Sequence, residues 1–329
     1  MAREQLAQGR GKLKDQHQSG SPGVQVCAKL TDLLDSIVLD LYQAAIDEVD
    51  DPELPSQIVL VPHGGYGRRD VAPFSDVDLM VLYNKAAKSR VEPFVSTLSQ
   101  QIVDTGLTLG FSSRTTKEAT DLAIADPTIF TSLAESRFLA GSVKLFTRFF
   151  QRFRLRAGRH ERRLINAIEQ SRLTERRQFG ETVYQLKPNI KRSRGGLRDL
   201  QLLRWVASAR HGESDLDNLE RAGHLSKKDR GRLREATDFL LKLRNELHFH
   251  ANRSQDVFDK GEQLRIAELH GYKGWEGGLP VEQLMREYFE HTSQIRYVKF
   301  DQTRPETSSS ILLKINCSTH TKRNSDQRR

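Results

Sequence analysis

Residues 64–83 read GGYGRRDVAPFSDVDLMVLY. A glycine pair, Gly64–Gly65, is followed after ten residues by Asp76 and Asp78, which open an apolar run. Side chains at i and i+2 of a strand share a face. Asp76 and Asp78 are therefore expected to project together, their Cα atoms roughly 7 Å apart at about 3.3 Å per residue. Val77, Leu79 and Val81 then point the other way, into a core. Two parallel carboxylates repel each other and lose solvation at a sheet surface. A divalent cation between them removes both costs. Mg²⁺ is typically held by a few carboxylates plus the oxygens of a bound phosphate, and a metal pair can clamp the attacking and leaving oxygens of an in-line displacement at phosphorus.

The preceding glycines suit the same site. Without a Cβ, Gly64 and Gly65 let backbone N–H groups approach a phosphate chain and adopt φ > 0 conformations. Ser75 adds a hydroxyl donor, and Arg68 and Arg69 lie where a basic side chain could meet phosphate. The plain alternative is a tight hairpin with an aspartate-rich turn. A glycine pair alone or a lone Asp-x-Asp is common. The combination of apolar strand, glycine pair, ten residues and Asp-x-Asp opening a second apolar strand is stricter.

The rest of the chain sets the frame. Its 329 residues are long enough for two domains of ordinary size. No apolar run approaches the roughly 20 residues of a membrane span, and the N-terminal stretch has no apolar core of signal-peptide type. Two cysteines, Cys27 and Cys317, are too few and too far apart for a disulfide framework or a zinc site. A reducing cytoplasm is the expected setting. The net charge is +9, of which the segments 1–25 and 301–329 carry +2 and +3. The remainder is spread thinly. With aromatics at 7% and no basic stripe interleaved with them, a dedicated nucleic-acid binder is not expected.

Residues 1–25, rich in Gln, Gly, Ser and charge, read as disordered. Leu30, Leu33, Leu34, Ile37, Val38, Leu41 and Ala45 recur at helical spacing and predict a helix over about 26–49. Ile58–Val61 is a β-branched run expected to be a buried strand, Asp76–Tyr83 a second strand, 90–104 a helix and 107–112 a third strand. From about residue 115 the pattern is helical only, with helices expected over 127–139, 142–155, 160–179, 197–210, 226–252 and 280–299. The loop 185–196, QLKPNIKRSRGG, interrupts them. Residues 301–329 lose periodicity and read as a disordered basic tail. The expected class is α+β: a disordered segment 1–25, a small mixed sheet with helices over 26–140, an all-helical domain over 141–300, and the tail.

Other residues invite a function and have a plainer reading. Lys187, Lys191, Arg192, Arg194 and Arg198 surround Gly195 and Gly196. They read either as a basic glycine loop facing phosphate or an acidic acceptor, or as a solvated basic turn. Asp199, in the first turn of the following helix, either orients a loop arginine or complements the helix N-terminus. His248 and His250, about 200° apart on a helix, are poorly placed to share an ion. Trp205, in a stripe with Leu202 and Leu203, is most simply core.

The stretch 64–83 resembles the polymerase-β-type nucleotidyltransferase superfamily, and within it the bacterial protein-PII uridylyltransferases. Three further stretches are similar to that family: ADPTIFTSLAESRFLAG at 125–141, LKPNIKRSRGGLRDLQLLRWVASAR at 186–210 and LRNELHFHANRSQDVFD at 243–259. The resemblance covers roughly residues 26–300. It implies a polymerase-β-like domain followed by a helical domain, and Mg²⁺-dependent transfer of UMP from UTP to a tyrosine hydroxyl of the PII nitrogen-regulatory protein. It makes Asp76 and Asp78 the catalytic, metal-binding pair. Gly64, Gly65, Arg68, Ser75, Lys191 and Arg194 become nucleotide-binding. The partners are PII and a nucleoside triphosphate, with no membrane and no specific nucleic acid.

The chain also departs from the family pattern. No His-Asp dipeptide occurs in these 329 residues, so the hydrolase domain of HD type and the glutamine-sensing ACT domains that the resemblance implies are not expected here. Phe111 stands where the family usually has histidine. The third carboxylate of the superfamily's metal site is unassigned, with Thr108, Asp104 and Glu135 the positions considered. Two alternatives remain: the same chemistry on another acceptor, or a module that binds PII or nucleotide without turnover.

Overall fold

The β-branched run at Ile58 does form a strand in the computed structural model, which describes residues 2–180, 182 and 184–298. The elements run α1 (Ala2–Gln18), α2 (Gly23–Val49), α3 (Leu54–Gln57), β1 (Ile58–Pro62), α4 (Gly64–Arg68), β2 (Val77–Tyr83), a 3₁₀ turn, α5 (Lys88–Asp104), β3 (Leu109–Thr115), α6 (Thr116–Ala125), α7 (Pro127–Leu133), β4 (Ala140–Gly141), α8 (Val143–Arg159) and α9 (Glu161–Phe179). The loop 184–196 then leads into α10 (Leu197–His211), α11 (Leu216–Arg221), α12 (Lys227–Ala251), α13 (Lys260–Leu269) and α14 (Pro280–Tyr297). The fold is α+β, and no helix among the described residues is long and apolar enough to cross a membrane.

The sheet has the order β3-β2-β1-β4. β1 pairs antiparallel with β2 and β4, and β2 pairs parallel with β3, setting Asp78 opposite Gly110. Both faces are covered. Val77, Leu79 and Val81 pack with Ile58 and Leu60 against α1, α2 and α5. Met80 and Leu82 pack with Val59 and Val61 against α6–α9 and the Leu202–Trp205 edge of α10. A third apolar cluster joins α10, α12, α13 and α14. Asp78 therefore shares a face with Met80 and Leu82, at the end of β2 where that core stops.

Two expectations fail. Residues 1–25 are not disordered: α1 occupies most of the segment and buries Leu6, Leu13 and His17. Its apolar residues are few but recur seven apart, on one face. At Gly9 a Cβ would collide with Leu33 of α2, so the glycine permits close approach of the two helices. His17 Nε2 then meets the Glu246 carboxylate at 2.9 Å. The second failure is the expected helix over 127–139 and the expectation of helices alone after 115. α7 ends at Leu133, and the chain extends along β1, with Arg137 and Leu139 N–H groups donating to Pro62 and Leu60 carbonyls. RFLAG thus runs extended along the edge of β1 and ends in the short strand β4. Gly141 sits at φ +92°, where a Cβ would clash with the Ile58 carbonyl, so the pairing needs glycine. The expected tail over 301–329 lies outside the described residues.

Candidate functional site

The link between β1 and β2 builds one wall of a cleft. Gly64 starts the short helix α4 at φ +56°, and Gly67 packs so tightly on the Glu135 carbonyl that no Cβ fits. A Cβ on Gly64 would lie 2.9 Å from Asp78 Oδ2, and one on Gly110 of β3 would fall well inside contact with Asp78 Oδ1. The Asp78 carboxylate therefore occupies the space two glycines leave open. The cleft, about 240 Å³, is lined by Gly64, Gly65, Arg68, Ser75, Asp76 and Asp78 from the sheet side and by Lys191, Arg198, Gln201, Trp205 and Arg244 from the helical side. Seven of the eight residues proposed from the sequence come together here.

Their roles separate. Burial, together with the Asp76 charge, pushes the Asp78 carboxyl above the usual aspartate range. The Lys191 and Arg68 charges pull the other way without winning. Lys191 makes no hydrogen bond or ion pair through its ammonium among the described residues, and burial, reinforced by Arg244 and Arg198, lowers it to about 8. It is a desolvated cation facing the acid pair. Ser75 Oγ accepts from Arg244 Nη2 at 3.1 Å, which leaves its own O–H to donate.

Two expected binders are corrected. Arg68 lines the cleft, but its guanidinium is consumed by a bidentate pair with Asp70, at 2.6 and 2.9 Å, and by Glu135. It braces the wall rather than offering a charge to phosphate. Arg194 is buried and does not line the cleft. The two cations on the same loop and helix that do so are Lys191 and Arg198. Arg69 also turns away, to Asp32 and Asp35.

The glycine loop is held from below. Asp199 accepts from Arg172 Nε at 2.7 Å, Arg176 Nη2 at 2.9 Å and the Gly195 N–H at 2.7 Å. Burial alone would raise its carboxyl, yet these partners hold it below the usual range. Asn189 Oδ1 accepts from the Lys191 and Arg192 N–H groups, and Ile190 and Phe258 N–H groups tie the loop to the 256–258 segment. From α12, Arg244 donates to Asp256 at 2.7 Å, and His248, fully buried, accepts the Phe74 N–H at Nδ1. Its Nε2 then carries the proton toward Asp256, 3.3 Å away. The loop carrying Ser75 and Asp76 is thus braced by a helix about 170 residues downstream.

The sequence reading missed Arg244, Gln201 and Trp205 as cleft residues. A signal for Arg244 existed: LRNELHFH places Arg, Glu and His where helical periodicity demands core.

The donor set suits a divalent cation with two protein carboxylates plus oxygens from a bound phosphate. Asp76 and Asp78 line one cleft, burial and the Asp76 charge hold the Asp78 carboxyl high, and glycine backbone leaves the space open. No third acid joins them: among the described residues no group of three or more His, Cys, Asp or Glu is placed to hold a metal. Asp104 caps its own helix surface by accepting from Gln100, and Glu135 is taken by Arg68. Thr108, the position considered on the third strand, precedes β3 and does not line the cleft; the residue opposite Asp78 on β3 is Gly110.

The same chain shows clear sequence similarity to known proteins. The family model described as GlnD PII-uridylyltransferase matches residues 163–301. A bifunctional uridylyltransferase/uridylyl-removing enzyme of Burkholderia vietnamiensis is 39% identical over 259 residues, 76% of this chain and 29% of that protein. The one from Burkholderia orbicola is 37% identical over 270 residues, 80% of this chain and 30% of that protein. The chain thus spans a little under a third of the length of these relatives. By the family match over 163–301 and by the stretch shared with these relatives, the chain carries a region of the GlnD PII-uridylyltransferase family.

Proposed function

We propose that the chain is a nucleotidyltransferase that moves UMP from UTP to a tyrosine hydroxyl of a PII protein in the cytoplasm. The observation that carries the reading is the Asp78 carboxylate seated between Gly64 and Gly110, beside Asp76 and facing the unpaired Lys191 ammonium. In the reaction the acceptor oxygen attacks the α-phosphorus, the bond to the bridging oxygen of the β-phosphate breaks, pyrophosphate leaves and the hydroxyl proton passes to solvent. Asp76 and Asp78 would hold Mg²⁺, which when bound supplies charge neutralisation for the phosphates and the leaving group. Lys191 contributes a fixed positive charge to the triphosphate. Gly64 and Gly65 keep side chains out of its path. Ser75 donates a hydrogen bond, and the Arg244–Asp256–His248 network holds the Ser75–Asp76 loop in place.

The similarity to named uridylyltransferases supports the base, and the family match over 163–301 supports PII as the acceptor. Binding of nucleotide or PII without turnover is the second reading, favoured by the lack of a third acid among the described residues. The deciding measurement is incorporation of labelled UMP into PII with Mg²⁺, wild type against Asp76→Asn. The variant keeps the shape and removes one negative ligand. Transfer is expected to fall by at least about 10²-fold, the loss typical of one removed electrostatic element in a preorganised site. Equal activity of the two proteins overturns the site. A wild type that binds UTP yet transfers nothing selects the second reading.

A further inference from the structure

A second chamber, about 190 Å³, lies behind the acid cleft and shares Thr128, Thr131, Arg198 and Trp205 with it. Neither cavity alone reaches the ~300 Å³ at which small-molecule sites begin, whereas the two together do. We propose that this chamber is the nucleoside half of the donor site. The indole Nε1–H of Trp205 donates there to a carbonyl or hydroxyl oxygen of the nucleoside. The inference rests on the nucleotidyl-transfer reading above and extends it to a residue that the sequence assigns to core.

Three observations carry it. Trp205 is 6% exposed, its ring packs with the core beneath the sheet, and its buried Nε1 has no acceptor among the described residues. An unmet buried donor is costly, and the residue that carries this one lines both cavities, so a small shift of the ring would let a ligand acceptor meet it. Second, the chambers differ in charge. The acid cleft presents Lys191 and two aspartates. In the second chamber the lining charges are taken up within the protein: Arg172 pairs with Glu175 at 2.9 Å and, outside the lining, with Asp199 at 2.7 Å, and Arg198 lies 3.6 Å from Glu175. Third, its other lining is hydroxyl and apolar, from Thr128, Thr131, Ser171, Pro127 and Ile168. A neutral, oxygen-rich group fits there. A triphosphate reaching Lys191 would carry its ribose and base past the Arg198–Trp205 pair, where the guanidinium lies 5.3 Å from the ring centre.

The test compares binding of UTP with Mg²⁺ and of inorganic tripolyphosphate with Mg²⁺ by calorimetry. Trp205→Phe keeps an aromatic ring in the core and deletes the N–H. UTP is expected to bind roughly two- to ten-fold more weakly, the worth of one neutral hydrogen bond, with tripolyphosphate unchanged. Ser171→Leu, an exposed position on α9 lining only the second chamber, is expected to abolish UTP binding and spare tripolyphosphate. It also decides the matter alone if circular dichroism shows Trp205→Phe misfolded. Unchanged UTP affinity in both variants, or equal weakening of both ligands, overturns the inference. If UTP binding then still depends on Asp78, as Asp78→Asn would reveal, the nucleotidyl-transfer reading survives the loss. If wild type binds neither ligand, both fall.

Discussion

Asp78 is held where it is by two side chains that are missing. Gly64 and Gly110 belong to different elements, yet a Cβ on either would press on one of its two carboxylate oxygens. This separates site geometry from stability in a way that can be measured. Gly110 lies in a strand at ordinary φ, and what a Cβ meets there is the end of a short side chain, which can rotate away. Gly110→Ala is therefore expected to change unfolding free energy by less than about 1 kcal/mol. It should lower UMP transfer roughly 10²-fold, as a displacement near 1 Å of a reacting-site group does. Gly67→Ala is the contrast: its Cβ would meet the Glu135 backbone, which cannot rotate, and overpacking of that kind costs about 1–3 kcal/mol. Denaturant melts and transfer assays on the two variants check both halves. A Gly110→Ala protein with full activity would mean that the position of Asp78 is not what limits transfer.

At the scale of elements, short charged segments find their places through long-range pairs. α1 has little apolar surface, but His17 at its end joins Glu246 of α12, which also takes Arg265 of α13 at 2.7 Å. Burial alone would raise the Glu246 carboxyl. The hydrogen bonds from His17 and Arg265 win and lower it from the usual 4.5 to about 2. An acid with a depressed native pKa binds its proton more readily in the unfolded chain. Its contribution is therefore present above about pH 4.5 and is lost as pH falls toward about 2. Glu246→Gln is expected to destabilise the protein at pH 7 by about 1–3 kcal/mol, because it strands buried partners. It should also flatten the stability curve between pH 4.5 and 2. Acid titrations followed by circular dichroism read this directly, and an acid limb as steep as that of wild type would contradict the linkage.

At the scale of the whole molecule, the cleft exists only because α10, α12 and the 186–196 loop close over the sheet. They bring Lys191, Arg198 and Arg244 to the acid pair. The Lys191 ammonium is already desolvated, so little is spent in burying it further under a triphosphate. Lys191→Met should leave the unfolding midpoint unchanged or slightly raised, since it removes an unpaired buried cation. Affinity for UTP is expected to fall roughly ten-fold, the scale of a charge-assisted hydrogen bond. The free protein loses this charge as pH climbs through about 8, so wild-type UTP affinity should decline across that range while that of Lys191→Met does not. Parallel pH profiles for the two proteins would remove Lys191 from the site.

The period-2 alternation of DVDLMVLY was enough to set Asp78 and the Val77–Leu79–Val81 face apart, because strand geometry is local. The 3.6-residue periodicity placed α2, α5, α9, α10, α12 and α14 closely, and the residues in the quoted motifs carried the family. Local pattern failed where a segment's partner was distant. RFLAG has helical neighbours, and only the open edge of β1 draws it out into extended chain ending in β4. Residues 2–18 look too polar to fold until Leu33 and Glu246 are beside them. The same limit divides the site. Asp76, Asp78 and the glycines are legible because they lie within twenty residues of one another. Arg68 and Arg194 read as phosphate binders on charge alone, and only packing shows the first consumed by Asp70 and Glu135 and the second turned from the cleft. Arg244 and the unpaired Trp205 nitrogen acquire their meaning from cavities that no single segment forms, since burial and pairing belong to the assembled chain rather than to any stretch of it.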